Sequence, residues 1–153
     1  MKRLLIVAHQ PSPRTRQLAQ ALLQGATDPA VEDVDVRLCA PLQAGAQDVL
    51  DSDAVILSTT ENFGLLAGLT KDFLERIYPP CVERTEGRAW ALCVRAGNDG
   101  EGAVRSTTRI VTGLRWKPMA EPLVLRGDWQ DDFAARAREL GLLAAASLDA
   151  GIV

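Results

Sequence analysis

The stretch STTENFGLLAGLTKDFLERIYPP, residues 58–80, decides how the chain is organised. It follows an apolar strand, Ala54-Val55-Ile56-Leu57, and opens with polar or turn-forming residues: Thr59, Thr60, Glu61, Asn62 and Gly64. Phe63 stands among them, an aromatic in a loop where packing does not obviously call for one. A helix is expected from about Gly68, with Leu69, Phe73, Leu74 and Ile77 on one face, stopping before Pro79-Pro80. Such a loop, at the carboxyl end of a strand and rich in backbone donors, is where an open α/β sheet places its ligand.

Working outward, the same strand–loop–helix unit recurs. Arg3–Ala8 is a continuous apolar run, as a strand covered on both faces should be. After His9-Gln10-Pro11, Ser12 is a good N-cap and Pro13 suits the first helical position of a helix carrying Leu18, Ala19, Leu22 and Ala26. Val34–Leu38 alternates with period two and reads as a strand nearer an edge, and Gln43–Leu50 makes at most a short helix. Ala89–Arg95 is a fourth strand, followed by the glycine-rich Ala96–Gly102 and a helix face of Ala103, Val104, Thr107, Ile110, Val111 and Leu114. Pro122–Arg126 is a fifth strand, and Asp128–Asp132 is expected to cap a last helix bearing Phe133, Ala137, Leu140, Ala144 and Leu148. Strand–helix alternation with short connections implies a single α/β domain over residues 1–153. The expected form is a three-layer sandwich whose five-stranded parallel sheet has right-handed crossovers and the order 2-1-3-4-5. In that order the loops after strands one, three and four open onto one edge.

Composition narrows the functions. Apolar residues make up 47% of the 153 and charged residues 24%, an ordinary globular mixture. A net charge of -3 without any basic run interleaved with aromatics argues against nucleic-acid binding. There is no membrane-length apolar run, and Met1-Lys2-Arg3 leads straight into a strand, so a cytoplasmic protein without membrane attachment is expected. Three cysteines without CxxC spacing and one histidine offer no metal cluster; Cys39 and Cys93 read as buried, whereas Cys81, after two prolines, reads as exposed.

The first loop offers a helix N-terminus, the hydroxyls of Ser12 and Thr15 and the guanidinium of Arg14, a set suited to a phosphate and equally to an ordinary cap. Neither GxxxxGK[ST] nor GxGxxG is present, which disfavours a nucleotide hydrolase or a Rossmann site. The loops at Thr60–Gly64 and Gly97–Gly102 could hold a flat polar ring, with glycines permitting close approach and Phe63 offering a stacking face. A receiver-type phosphorylation domain is excluded, because His9-Gln10 and Ser58-Thr59 stand where it needs acidic residues.

On these residues the chain resembles the flavodoxin-like FMN-binding proteins, including flavodoxins and NAD(P)H-dependent FMN reductases. Ser12-Pro13-Arg14-Thr15 is similar to their phosphate loop, and TTENFGLLAGLTKDFLER to their T-P-x-(Y/N/F)-G loop and following L-K-x-F helix. The resemblance implies a non-covalent FMN. Its phosphate would be held by the Ser12, Pro13, Arg14 and Thr15 turn. Its ring would be flanked by Thr59, Thr60, Glu61, Asn62, Phe63 and Gly64, and its pyrimidine side lined by Ala96, Gly97, Asn98, Asp99 and Gly100. No side chain is implied as catalytic and no metal is implied. Departures are Pro13 for the usual glycine, Gln10 for a hydroxyl residue, and no tyrosine in the third loop. Trp129, at a strand end, is the better placed of Trp116 and Trp129 to compensate, though both read as packing residues.

The leading expectation is an electron-transfer flavoprotein, monomeric or homodimeric, working with a redox partner protein. An NAD(P)H-dependent FMN or quinone reductase, dimeric, is the alternative, and a flavin-free interaction protein on the same fold a further one.

Overall fold

A computed structural model describes residues 1–153. Its elements, in chain order, are strand β1 (Lys2–Ala8), helix α1 (Pro13–Ala26), β2 (Val34–Cys39), a 3-10 turn at Pro41–Gln43, α2 (Ala46–Leu50), β3 (Ala54–Asn62), β4 (Leu65–Leu66), α3 (Gly68–Cys81), β5 (Ala89–Ala96), α4 (Glu101–Gly113), β6 (Lys117–Pro118), β7 (Leu123–Arg126) and α5 (Asp132–Asp149).

The main sheet runs β2-β1-β3-β5, all parallel, and then an outer position shared by β6 and β7. With the small β4 set aside, this is the expected order 2-1-3-4-5. The outer strand is interrupted: Ala89–Trp90 pair with β6 and Cys93–Ala96 with β7, and the chain between them leaves the ladder.

Alternation along the strands divides the interior into two cores of 20 buried residues each, so neither face is left to water, as a parallel sheet requires. Leu4, Ile6, Ile56 and Cys93 point toward α1 and α5. Leu5, Val7, Leu57, Leu92 and Val94 point toward α2, α3 and α4. α1 and α5 come backbone to backbone at two glycines: a β-carbon at Gly25 would lie 1.9 Å from the Arg138 carbonyl oxygen, and one at Gly141 2.1 Å from that of Leu22.

Several local expectations need correction. The helix after the second loop does not stop before Pro79-Pro80; α3 runs through both to Cys81. The prolines withhold the N–H bonds that the Glu75 and Arg76 carbonyls would otherwise accept, and the last turn is held by the Val82 N–H on the Tyr78 carbonyl (2.9 Å) and the Thr85 hydroxyl on the Cys81 carbonyl (2.9 Å). Cys81 is accordingly 0% exposed rather than accessible, and burial pushes its thiol pKa up, as it does for Cys39 and, to about 12, for Cys93. Leu69 lies outward on its helix, not on the packed face. The last helix begins at Asp132 with Asp131 preceding it, and no side chain of that acidic run caps it.

Candidate functional site at the carboxyl edge of the sheet

β1 ends at Ala8, and the His9 N–H donates to the Ser58 carbonyl of neighbouring β3 (2.9 Å), so the first loop leaves the sheet where the strand order reverses. Ser12 is the N-cap of α1. Its Oγ accepts from the Thr15 N–H (3.2 Å), its own N–H donates to Thr15 Oγ1 (2.9 Å), and the Thr15 hydroxyl donates to the Ser12 carbonyl (3.0 Å). With the one hydroxyl hydrogen of Thr15 on the Ser12 carbonyl, the Ser12 hydroxyl donates to Thr15 Oγ1 (3.0 Å) and would exchange that bond for one to a ligand. Pro13 has no N–H, and the Arg16 N–H bonds the Ser12 carbonyl (3.0 Å), so the Arg14 N–H is the open donor of the first turn. His9 is half-buried, and desolvation lowers its pKa.

The second loop is shorter than the sequence suggests. Thr59, Thr60, Glu61 and Asn62 continue β3 and fold back through Phe63-Gly64 onto β4 as a two-residue hairpin. Both central residues have positive φ, 53° at Phe63 and 76° at Gly64. Glycine accepts this freely and phenylalanine does not. The Phe63 side chain is nonetheless fully exposed, at 103%. Thr59 is 2% exposed and faces the other way: its Oγ1 accepts from the Ala67 N–H and the Thr70 hydroxyl (3.1 Å each). Its side chain therefore braces the hairpin from beneath and does not front the crevice. The Thr60 hydroxyl donates to Asn62 Oδ1 (3.0 Å).

The third loop is joined to the second by Glu61. Its carboxylate accepts from the Gly100 and Ala103 N–H groups (3.3 Å each), a charge set against the start of α4. The two segments press together at Gly102, where a β-carbon would lie 1.8 Å from the Gly64 carbonyl oxygen. Ala96 is buried and its carbonyl accepts from the Gly127 N–H (2.9 Å), whereas Gly97, Asn98 and Asp99 are exposed. Asp99 Oδ1 accepts from the Glu101 N–H (3.0 Å).

A cluster that sequence reading did not assemble lies beside the first loop. The Arg14 guanidinium carbon sits 4.5 Å from the centre of the Trp129 ring, and that of Arg95 lies 6.0 Å from Trp129 and 5.2 Å from Phe133. Trp129 meets Phe133 edge-on at 5.4 Å. Arg95 also donates to the carbonyls of Ala96 (2.7 Å) and Leu125 (3.1 Å). No carboxylate pairs with either arginine. Two uncompensated guanidiniums beside a helix N-terminus make a local field that attracts anions. The signal was a lone charge ending the apolar strand AWALCVR. Trp116, by contrast, is a packing residue, its indole N–H on Thr85 Oγ1 (2.8 Å).

No family model matches the sequence, and no curated protein matches it. Solved structures do match in three dimensions. A flavodoxin from the domain Archaea superposes with a TM-score of 0.80 at 16% identity, covering 97% of this chain and 99% of its own. The chain has the flavodoxin-like fold. Flavodoxin 1 from Bacillus cereus gives 0.76 at 14% identity, covering 93% and 96%, and an NADH:FMN oxidoreductase in its apo form gives 0.76 at 14%, covering 96% and 90%. In the flavodoxin-like fold the three loops described here share the carboxyl edge, at the topological switch between β1 and β3. There is no group of acidic, histidine or cysteine side chains able to hold a metal, and no helix is long and apolar enough to cross a membrane.

Proposed function

We propose that the protein binds FMN at this edge and serves as an electron-transfer flavoprotein. The observation that carries the reading is the unpaired Arg14 and Arg95 gathered on Trp129 next to the start of α1, a donor set whose charge calls for a dianionic phosphate. The residues fit the group. The Arg14 N–H and guanidinium and the Ser12 hydroxyl would hold the phosphate, while Pro13 shapes the turn without donating and Thr15 fixes Ser12 in place. Backbone groups of Thr60, Glu61, Asn62 and Gly64 on one side, and of Gly97, Asn98, Asp99 and Gly100 on the other, would flank the ring, with Phe63 supplying an apolar face. Bound there, the flavin would supply the redox chemistry, and the protein's contribution is to tune it through hydrogen bonds, stacking and charge.

Likeness to flavodoxins over nearly the full length of both chains supports carriage of electrons between protein partners. The third loop has no aromatic residue to cover a ring, and its exposed Gly97–Asp99 favours a second reading, an NAD(P)H-dependent FMN or quinone reductase. The test is a titration of the apoprotein with FMN and with riboflavin, followed by anaerobic NAD(P)H addition. Arg14→Ala should weaken FMN by at least about tenfold and leave riboflavin nearly unchanged, because a charge-assisted hydrogen bond is worth about 1.5–3 kcal/mol. Rapid bleaching by NAD(P)H alone selects the reductase; bleaching only with an added reductase selects the carrier. Absence of flavin binding leaves the interaction-protein reading.

A further inference from the structure

A groove runs along α4 on the outer side of the sheet, away from the first loop. Its upper part, about 730 Å³, is walled by Arg105 and Arg109 of α4 and Arg126 at the end of β7. Its lower part, about 350 Å³, is lined by Val104, Pro118, Ala120 and Pro122 over the buried Trp90, Leu92 and Trp116. Val104, Thr108 and Pro122 line both, so the two are continuous. The lower part exists because the outer strand is interrupted between β6 and β7, which leaves this stretch of β5 without a neighbouring strand. These volumes lie in the range of small-molecule sites.

The charges point to the occupant. Arg105 and Arg109 stand four residues apart on one helix face, both exposed, and neither they nor Arg126 has a carboxylate within ion-pair distance. Like charges at that spacing repel, and an anion between them reverses the sign. Asp99 and Glu101 also border the upper part, but the Asp99 carboxylate is turned back onto the Glu101 N–H (3.0 Å). Glu121 borders the lower part, where it disfavours an anion. The upper part thus sets three guanidiniums against two carboxylates, Glu101 standing one turn before Arg105, and the lower part is apolar with one acceptor. From Arg105 to Thr112 the helix rises roughly 10 Å, about the span of a nucleoside diphosphate.

We infer that this groove is a second ligand site, for a nucleotide-type anion whose phosphates meet Arg105, Arg109 and Arg126 and whose ring lies in the apolar lower part, against Pro118 and Pro122. It borders the flavin site at Asp99 but takes none of the phosphate-holding residues of the first loop, and it does not rest on flavin binding.

The experiment is calorimetry of the full-length protein with ADP, with pyrophosphate and with adenosine, backed by tryptophan fluorescence. Saturable ADP binding is expected, tighter than either fragment by at least about tenfold, with a change in emission from the tryptophans beneath. The exposed double variant Arg105→Ala/Arg109→Ala should weaken ADP by about tenfold or more, and Thr108→Trp should block it, both with unchanged circular dichroism. Arg14→Ala should bind ADP as the parent does. No saturable heat at millimolar ADP, or equal affinity in the groove variants, would overturn the inference. So would pyrophosphate binding as tightly as ADP, or loss of ADP in Arg14→Ala with the groove variants unaffected.

Discussion

Phe63 holds φ at 53° with its ring wholly in water, so the fold gains no burial from it. A bulky side chain in the left-handed region costs roughly 1–2 kcal/mol, and asparagine is tolerated there far better. Phe63→Asn should therefore raise the free energy of unfolding by about 0.5–1 kcal/mol in urea while weakening FMN retention. A variant no more stable than its parent would mean the turn is not strained. His9 makes a second prediction at this scale. Burial holds its pKa below the ordinary value of 6.5, so protonation costs more in the folded chain than in the unfolded one. The neutral ring's contribution is complete above that value and is lost as pH falls through the lower folded pKa. Urea midpoints taken downward from about pH 7.5 should decline on that limb, and His9→Gln should flatten it; an unaltered slope in the variant would remove the assignment.

Among the elements, the hairpin and α4 behave as one clamp. Glu61→Gln removes a charge from the start of α4 and should cost about 0.5–1 kcal/mol. Gly102→Ala drives a methyl group into the Gly64 carbonyl, which is backbone and yields little, and should cost about 1–3 kcal/mol. Thermal unfolding checks both, and wild-type stability in Gly102→Ala would show that the segments do not press together. The main strands were legible in the sequence because burial on both faces leaves uninterrupted apolar runs such as RLLIVA and AVIL, and Ser12-Pro13 announced α1 through its local chemistry. What sequence reading missed depends on distant partners. Thr59–Asn62 looked like loop because it is polar, yet two of its side chains are satisfied elsewhere, Thr59 by Ala67 and Thr70 and Glu61 at the start of α4, while Thr60 and Asn62 bond each other. Pro79-Pro80 looked like a stop because local propensity says so, and burial of Ile77 and Cys81 in the core on either side of them overrides it. The Arg14–Trp129–Arg95 cluster draws on the first turn of α1, the end of β5 and the connection between β7 and α5, a relation no periodicity encodes.

In the molecule as a whole, all three thiols are buried and their pKa values raised, Cys93 to about 12. Disulfide-exchange reagents should label none of them in the native protein and all three in urea; prompt native labelling at Cys81 would contradict the course of α3 through its prolines. The contact between α1 and α5 has a different consequence. Backbone lies directly on backbone at Gly25 and Gly141, with no pliant side chain to absorb a small parting of the two helices. The first and last helices of the described chain must then separate completely or stay shut, so deuterium should enter their amides at one common rate, slower than in the two-residue strands β4 and β6.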